Sequence, residues 1–176
     1  AEGAAYALVE ERGEAEARGA RILAEIAGAG QTTERVEALT SERSAGGLAR
    51  AIALALADAG WSSEDVEIVC WSPQGNAGDS AILGALDLAL GPRGRDVPLV
   101  TTALHIGLAE ASTGVFTLAA LLGAWADGRG VWAERTGLAA IDGRAKPRPF
   151  GRTLCLASSE IGYNLALAIL PEGGAA

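Results

Sequence analysis

Residues 48–71 read LARAIALALADAGWSSEDVEIVCW, and the change of hydrophobic period within them decides the fold. Leu48, Ile52 and Leu56 recur at helical spacing and place one apolar stripe on a helix running from about Ala45 to Ala59. Ser44 can cap its start, and Gly60 supplies the stop. Ser62 or Ser63, followed by Glu64 and Asp65, suits a second short helical start. Val66 to Trp71 is then an almost continuous apolar run, the pattern of a strand covered on both faces. An amphipathic helix leading into a fully buried strand is the repeating unit of a layered α/β domain.

The same reading extends in both directions. Upstream, Ala4 to Glu10 alternates like a strand, ERGEAEARGA is a charged turn or short helix stopped by Gly19, and ARILAEIAGAGQTT (20–33) is a strand that fades into glycine-rich backbone. The two apolar segments are expected to pair as a hairpin with a charged tip. Downstream, Ser80–Leu90 is helical, GPRGRD (91–96) turns, and Val97–Thr101 is a short strand. Leu108–Ala126 is a helix apolar almost all round and so expected to be buried, with Gly107 and Gly114 permitting close backbone approach near its start. Val131–Glu134 is a short strand candidate, and 136–151 reads as a loop. Thr153–Ala157 and Asn164–Leu170 are strands flanking the turn SSEIGY. The order β-β-α-β-α-β-α-β-β predicts an α/β fold: a mixed, mostly parallel five-stranded sheet with helices packed on it, as one domain over 1–170 with a tail at 171–176.

A chain of 176 residues can bury a real core. Its net charge of -8 argues against a nucleic-acid or anionic-membrane surface and leaves small molecules and protein partners open. Two cysteines and one histidine are a poor donor set for a metal, so Cys70 and Cys155 read as buried free thiols and no cofactor is called for. Apolar runs stop short of the ~18 residues of a membrane span, and no signal peptide is seen, so a cytoplasmic location is expected. The chain has no Met and opens directly on a strand-like run, which suggests a piece of a longer or processed protein.

The chemistry-bearing candidates lie where strands end. After the strand at 66–71 comes SPQGNAGDS, whose Ser72, Gln74 and Asn76 could hydrogen-bond a ligand or simply make a turn. Glu160, in the apolar turn before the last strand, could pair with Asp79, and a raised pKa there would suit an acid or base role. Trp71 sits beside the first turn and could plug a pocket. Trp61, Trp125 and Trp132 read as core or interface aromatics. Arg144, Lys146 and Arg148 form a small basic cluster.

Taken together, these stretches resemble the C-terminal half of a β-ketoacyl synthase, the condensing-enzyme branch of the thiolase fold. AEGAAYALVEERGEAEARGARILAEIAGAG is similar to the family's opening segment with its A-x-A-R-G-A turn. LARAIALALADAGWSSEDVEIV, GLAEASTGVFTLAALLGAWADG and IGYNLALAIL resemble its next helix and strand, its buried helix, and its closing G-G-x-N turn and last strand. The similarity runs from Ala1 to Leu170.

The resemblance implies a chemistry and, equally, its loss. The family uses a nucleophilic Cys from the N-terminal half, two His and a Lys; the His residues hold the developing enolate oxygen through preorganised N–H donors. At the first His, in the family's H-G-T-G-T turn, this chain reads SPQGN, with Ser72 at the His position. In the K-S-x-x-G-H stretch it reads ALHIGL, with Ala103 at the Lys and Leu108 at the second His. In the G-F-G-G turn it reads SEIG, with Glu160 at the Phe and Ile161 at a Gly, while Asn164 keeps the closing Asn. Leucine donates no hydrogen bond, and a serine replaces imidazole poorly at neutral pH. His105 is the chain's one histidine; a different register could bring it to the second His position, at the expense of the Gly107 and Gly114 matches. The resemblance thus implies a non-catalytic, chain-length-factor-like protein in fatty-acid or polyketide synthesis, paired with a synthase half or with a second copy. An acyl carrier protein or acyl thioester could meet the basic cluster. An active enzyme with rearranged residues, or with its nucleophile on an N-terminal half, is the competing expectation.

Overall fold

In the computed structural model residues 2–35, 45–71, 78–103, 107–109, 112–126, 151–159 and 161–173 are described. The elements run α1 (Arg12–Ala17), β1 (Ala24–Thr33), α2 (Ala45–Ala59), β2 (Ile68–Cys70), α3 (Gly78–Leu90), β3 (Leu99–Val100), α4 (Thr113–Ala126), β4 (Thr153–Ser158) and β5 (Tyr163–Pro171). The strands form one five-stranded sheet in the order β1-β5-β4-β2-β3. The sheet is mixed, as expected. Its pairings divide evenly rather than falling mostly parallel: β2 is parallel to β3 and β4, and β5 is antiparallel to β1 and β4.

The helix-to-strand reading of 48–71 holds in detail. Leu48, Ile52 and Leu56 are buried on α2, and Gly60 ends the helix with a φ of 67°. The next turn is closed by Asp65, whose Oδ2 accepts from both the backbone N–H and the hydroxyl of Ser62 at 2.7 Å. Asp65 also pairs with Arg152, whose guanidinium lies 5.6 Å from the Trp61 ring centre. The turn before β2 is thereby fastened to the residue before β4.

Those Ser62 hydrogen bonds hold the Asp65 carboxyl below its ordinary range, with Arg152 adding to the effect. A carboxylate depressed in the folded state contributes stability that is present above its unfolded pKa and lost as pH falls through the folded value. Asp65→Asn is therefore expected to flatten the acid limb of the stability-versus-pH curve, read by urea unfolding between neutral pH and pH about 3. An unchanged acid limb would show that the cap contributes nothing.

Two helices cover one face of the sheet. α2 and α3 bring Leu48, Ile52, Leu56, Ile82 and Leu86 onto Val69, Leu154, Leu156 and Ala166. α2 lies against β1 because Gly28 and Gly30 present no side chain to it. On the opposite face α4 packs through Leu121 and Trp125 onto Ile68, Cys70, Val100 and Cys155.

Three expectations need correction. The segment 4–10 is no strand: residues 2–10 run without ladder partners, and Tyr6 is 93% and Leu8 79% exposed. Its alternation specifies an extended chain but no partner, and β1 takes β5 instead of a hairpin mate. The long apolar helix begins at Thr113, not at Leu108, since Gly107 has a φ of 77° and residues 107–109 are not helical. Nor is it buried all round: of the described side chains of α4 only Thr113, Thr117 and Leu121 are buried. The candidate strand Val131–Glu134 lies outside the described residues. The last strand reaches Pro171, and Glu172 binds Arg12, so the fold continues past 170.

Candidate functional site

Parallel pairing sets the site's location. Because β2, β3 and β4 run in one direction, their C-terminal ends share one edge of the sheet. The segments that follow them carry Ser72, Gln74 and Asn76 after β2, Ala103, His105 and Leu108 after β3, and Glu160 after β4. Asn164 begins the antiparallel β5 at the same edge. Of the residues singled out from sequence, the described Ala103 and Leu108 follow β3 and Asn164 lies near the start of β5, at the edge of the sheet where ligand sites of α/β proteins are found. Ser72, Gln74, Asn76, His105 and Glu160 themselves lie outside the described residues, as do Glu110 and the basic cluster 144–148, so the Glu160–Asp79 pairing is not described.

The segment after β3 is held from below by α4. Thr117, fully buried, has its Oγ1 2.9 Å from Thr102 Oγ1 and accepts the Thr102 N–H at 3.3 Å, while its own hydroxyl donates to Thr113 O at 2.9 Å. The buried Thr113 Oγ1 accepts the Ala109 N–H at 2.8 Å. Gly107 N donates to Ala103 O at 2.9 Å and closes a turn between them. Two threonines one helical turn apart thus fix both ends of the segment. Removing the hydroxyl in Thr117→Val leaves the Thr102 donors without their acceptor. We expect a loss of about 1–3 kcal/mol of stability, read by chemical denaturation, and no loss if solvent can reach Thr102.

The turn between β4 and β5 is equally fixed. Ser159 N donates to Tyr163 O at 2.8 Å, Gly162 N to Ser159 O at 3.1 Å, and Tyr163 N to Ser159 Oγ at 3.1 Å. Gly162 has a φ of 88°, which favours glycine. Asn164 is buried, and its Nδ2 donates to Glu34 Oε1 at 3.0 Å. A side chain on Gly47 would strike both the Glu34 carboxylate and Asn164 Nδ2, and Thr32 Oγ1 donates to Gly47 O at 2.7 Å. Asn164 therefore ties the last strand to the end of β1 and the start of α2. An open cleft of about 340 Å3 lies beside this turn, lined by Gln31, Ala157, Ser159, Tyr163, Asn164 and Leu165.

Chemically, the described part of the rim offers hydroxyls, amides, apolar side chains and the Glu34 carboxylate that Asn164 engages. Ala103 and Leu108 hold no proton, and Leu108 is partly exposed. Trp71 packs on the α2–α3 core, and among the described residues its buried indole N–H has no hydrogen-bond partner. Among the described residues no three His, Cys, Asp or Glu side chains cluster as a metal site, and no helix is long and apolar enough to cross a membrane. Sequence reasoning missed Glu34, Gly47, Thr113 and Thr117. The available signals were the Gly46–Gly47 pair at a helix start and two threonines four residues apart on an otherwise apolar helix.

No family model matches the chain. It is 35% identical over 184 aligned positions, 98% of its length, to a Streptomyces coelicolor protein named as a polyketide beta-ketoacyl synthase 2, of which it covers 43%. A Streptomyces halstedii protein named likewise is 40% identical over 123 positions and is covered to 29%. The chain thus spans less than half the length of these relatives. In structure, a type II polyketide acyl-carrier protein complexed with its ketosynthase superposes over 92% of this chain with a TM-score of 0.74 and 21% identity; 41% of that chain is covered. The ishigamide ketosynthase/chain length factor superposes over 90% of this chain and 40% of its own, with a TM-score of 0.72 and 23% identity. These similarities establish the ketosynthase fold.

Proposed function

Since the chain is a polyketide β-ketoacyl synthase-like unit with the fold of a ketosynthase half, we propose that it is a non-catalytic member of a condensing assembly, chain-length-factor-like, working beside a synthase rather than as one. What supports this reading is the segment after β3, which Thr113 and Thr117 hold in place and which offers only the apolar side chains of Ala103 and Leu108 where the resemblance puts the family's Lys and His. Losing the imidazole donor removes the electrostatic term that most lowers the barrier of such reactions. The two cysteines offer no replacement nucleophile on the rim, since Cys70 is buried and Cys155 lies within β4. Under this reading the chain's partners are a synthase half or a second copy, with an acyl carrier protein presenting the thioester, and it acts in the cytoplasm.

Incubation with malonyl and acyl thioesters tests the reading. No carbon dioxide release above background is expected from the purified chain, together with a stable complex when a cognate synthase is added. Turnover that disappears in Glu160→Gln or His105→Ala would overturn it. It would establish the competing reading, an active acyltransferase with rearranged residues.

A further inference from the structure

We infer that Cys70 and Cys155 form a cross-strand dithiol that small disulfides oxidise to an intramolecular disulfide, tying β2 to β4 beneath α4. The two residues are direct partners in the register of neighbouring parallel strands, and both pack into the apolar cluster with Ile68, Val100 and Leu121 on the α4 side. Neighbouring strands lie about 4.8 Å apart, inside the about 4.4–6.8 Å that disulfides span between Cα atoms. Cys70 and Cys155 are also the chain's two cysteines, so a disulfide within the chain is this one.

Their burial differs, and the difference orders the chemistry. Cys155 is half-buried and Cys70 buried. The Cys155 thiolate attacks one sulfur of the small disulfide, forming a mixed disulfide and releasing one small thiol. Cys70 then loses its proton and attacks Cys155 Sγ, forming the Cys70–Cys155 bond and displacing the second small thiol. Two protein thiols surrender two protons and two electrons, and the small disulfide is reduced to two thiols. The second step is the slower one, because Cys70 is buried in apolar surroundings that disfavour its thiolate.

The full chain treated with excess oxidised glutathione, alkylated and mapped by mass spectrometry, decides the matter. Both thiols are expected to disappear with the loss of two hydrogens and a linked peptide joining 70 to 155, reversed by a dithiol reductant. Cys155→Ser should not react, and Cys70→Ser should stop as the glutathionyl adduct on Cys155. A stable glutathionyl adduct on the unaltered chain, a linked dimer, or two thiols persisting where the urea-unfolded chain oxidises would each overturn the inference. The peptide map of the unaltered chain decides it even where a buried substitution fails to fold.

Discussion

Gly30→Val is expected to remove a large share of the chain's folding stability. A Cβ at Gly30 would sit 2.0 Å from Ala51 O and 2.7 Å from Ala55 N, and one at the neighbouring inward position, Gly28, would sit 2.4 Å from Ala55 O. These are backbone atoms of α2, so no rotamer change relieves the clash; helix and strand must part. Overpacking a core that can adjust costs about 1–3 kcal/mol, and here the adjustment separates an element pair that carries much of the first core cluster. Against a total stability of about 5–15 kcal/mol, a loss at or above the upper end of that range removes a large share. Gly114→Ala is the control: nothing stands within 4 Å of its added Cβ on an exposed helical position, and alanine there should raise stability by up to about 1 kcal/mol. Urea midpoints compare the two. A Gly30→Val midpoint equal to the unaltered chain's would refute the close packing of α2 on β1.

That glycine track marks where the sequence was legible and where it was not. The amphipathic period of α2, its glycine stop and the apolar run of β2 are local signals, and each appears where 48–71 places it. The strands at 153–158 and 163–171 were legible for the same reason, a short turn between two apolar runs. The mate of β1 was not. Its partner β5 lies more than a hundred positions away, and alternation within 4–10 describes a backbone shape, with no term for the edge it would join. The fading of 20–33 into glycines was read as a strand losing its character, whereas those glycines are where the strand meets its helix. On the site, the residue types after each strand were legible once set beside a family pattern. The supports were not: Glu34 with Asn164, and Thr117 with Thr102, are contacts between segments that no local period reports.

Leu165→Arg is expected to leave the isolated chain folded and to weaken its association, with a synthase half or with a second copy, by about a hundredfold or more. The sheet face shared by α4 is only partly covered. Cys155 lies under α4 and faces Leu167, and by alternation Tyr163, Leu165 and Ile169 point to the same side. Across the next pairing Ile26 opposes Ile169 and Gln31 opposes Leu165, so β1 extends that face. There Ile26 is 43% exposed, Tyr163 49% and Leu165 37%, and none of Ile26, Ala29, Gln31, Ala157, Tyr163 or Leu165 carries a charge at neutral pH. Tyr6 and Leu8, strand-patterned without a ladder, are exposed as well, while Gly3 O accepts from Ser112 Oγ beside α4. Among the described residues this is a partly exposed, uncharged sheet face, the kind of surface that suits the association proposed above. Burying the exposed third of Leu165 contributes about 0.5–1 kcal/mol, and the larger part of the loss comes from an arginine in its place, which must be desolvated without a partner. Together these correspond to a hundredfold or greater rise in Kd. Sedimentation velocity across a concentration series, with and without the synthase, measures the change, and circular dichroism checks the fold. A chain that stays monomeric at high concentration and ignores the synthase, or a complex that Leu165→Arg leaves intact, would show that this face is covered by nothing.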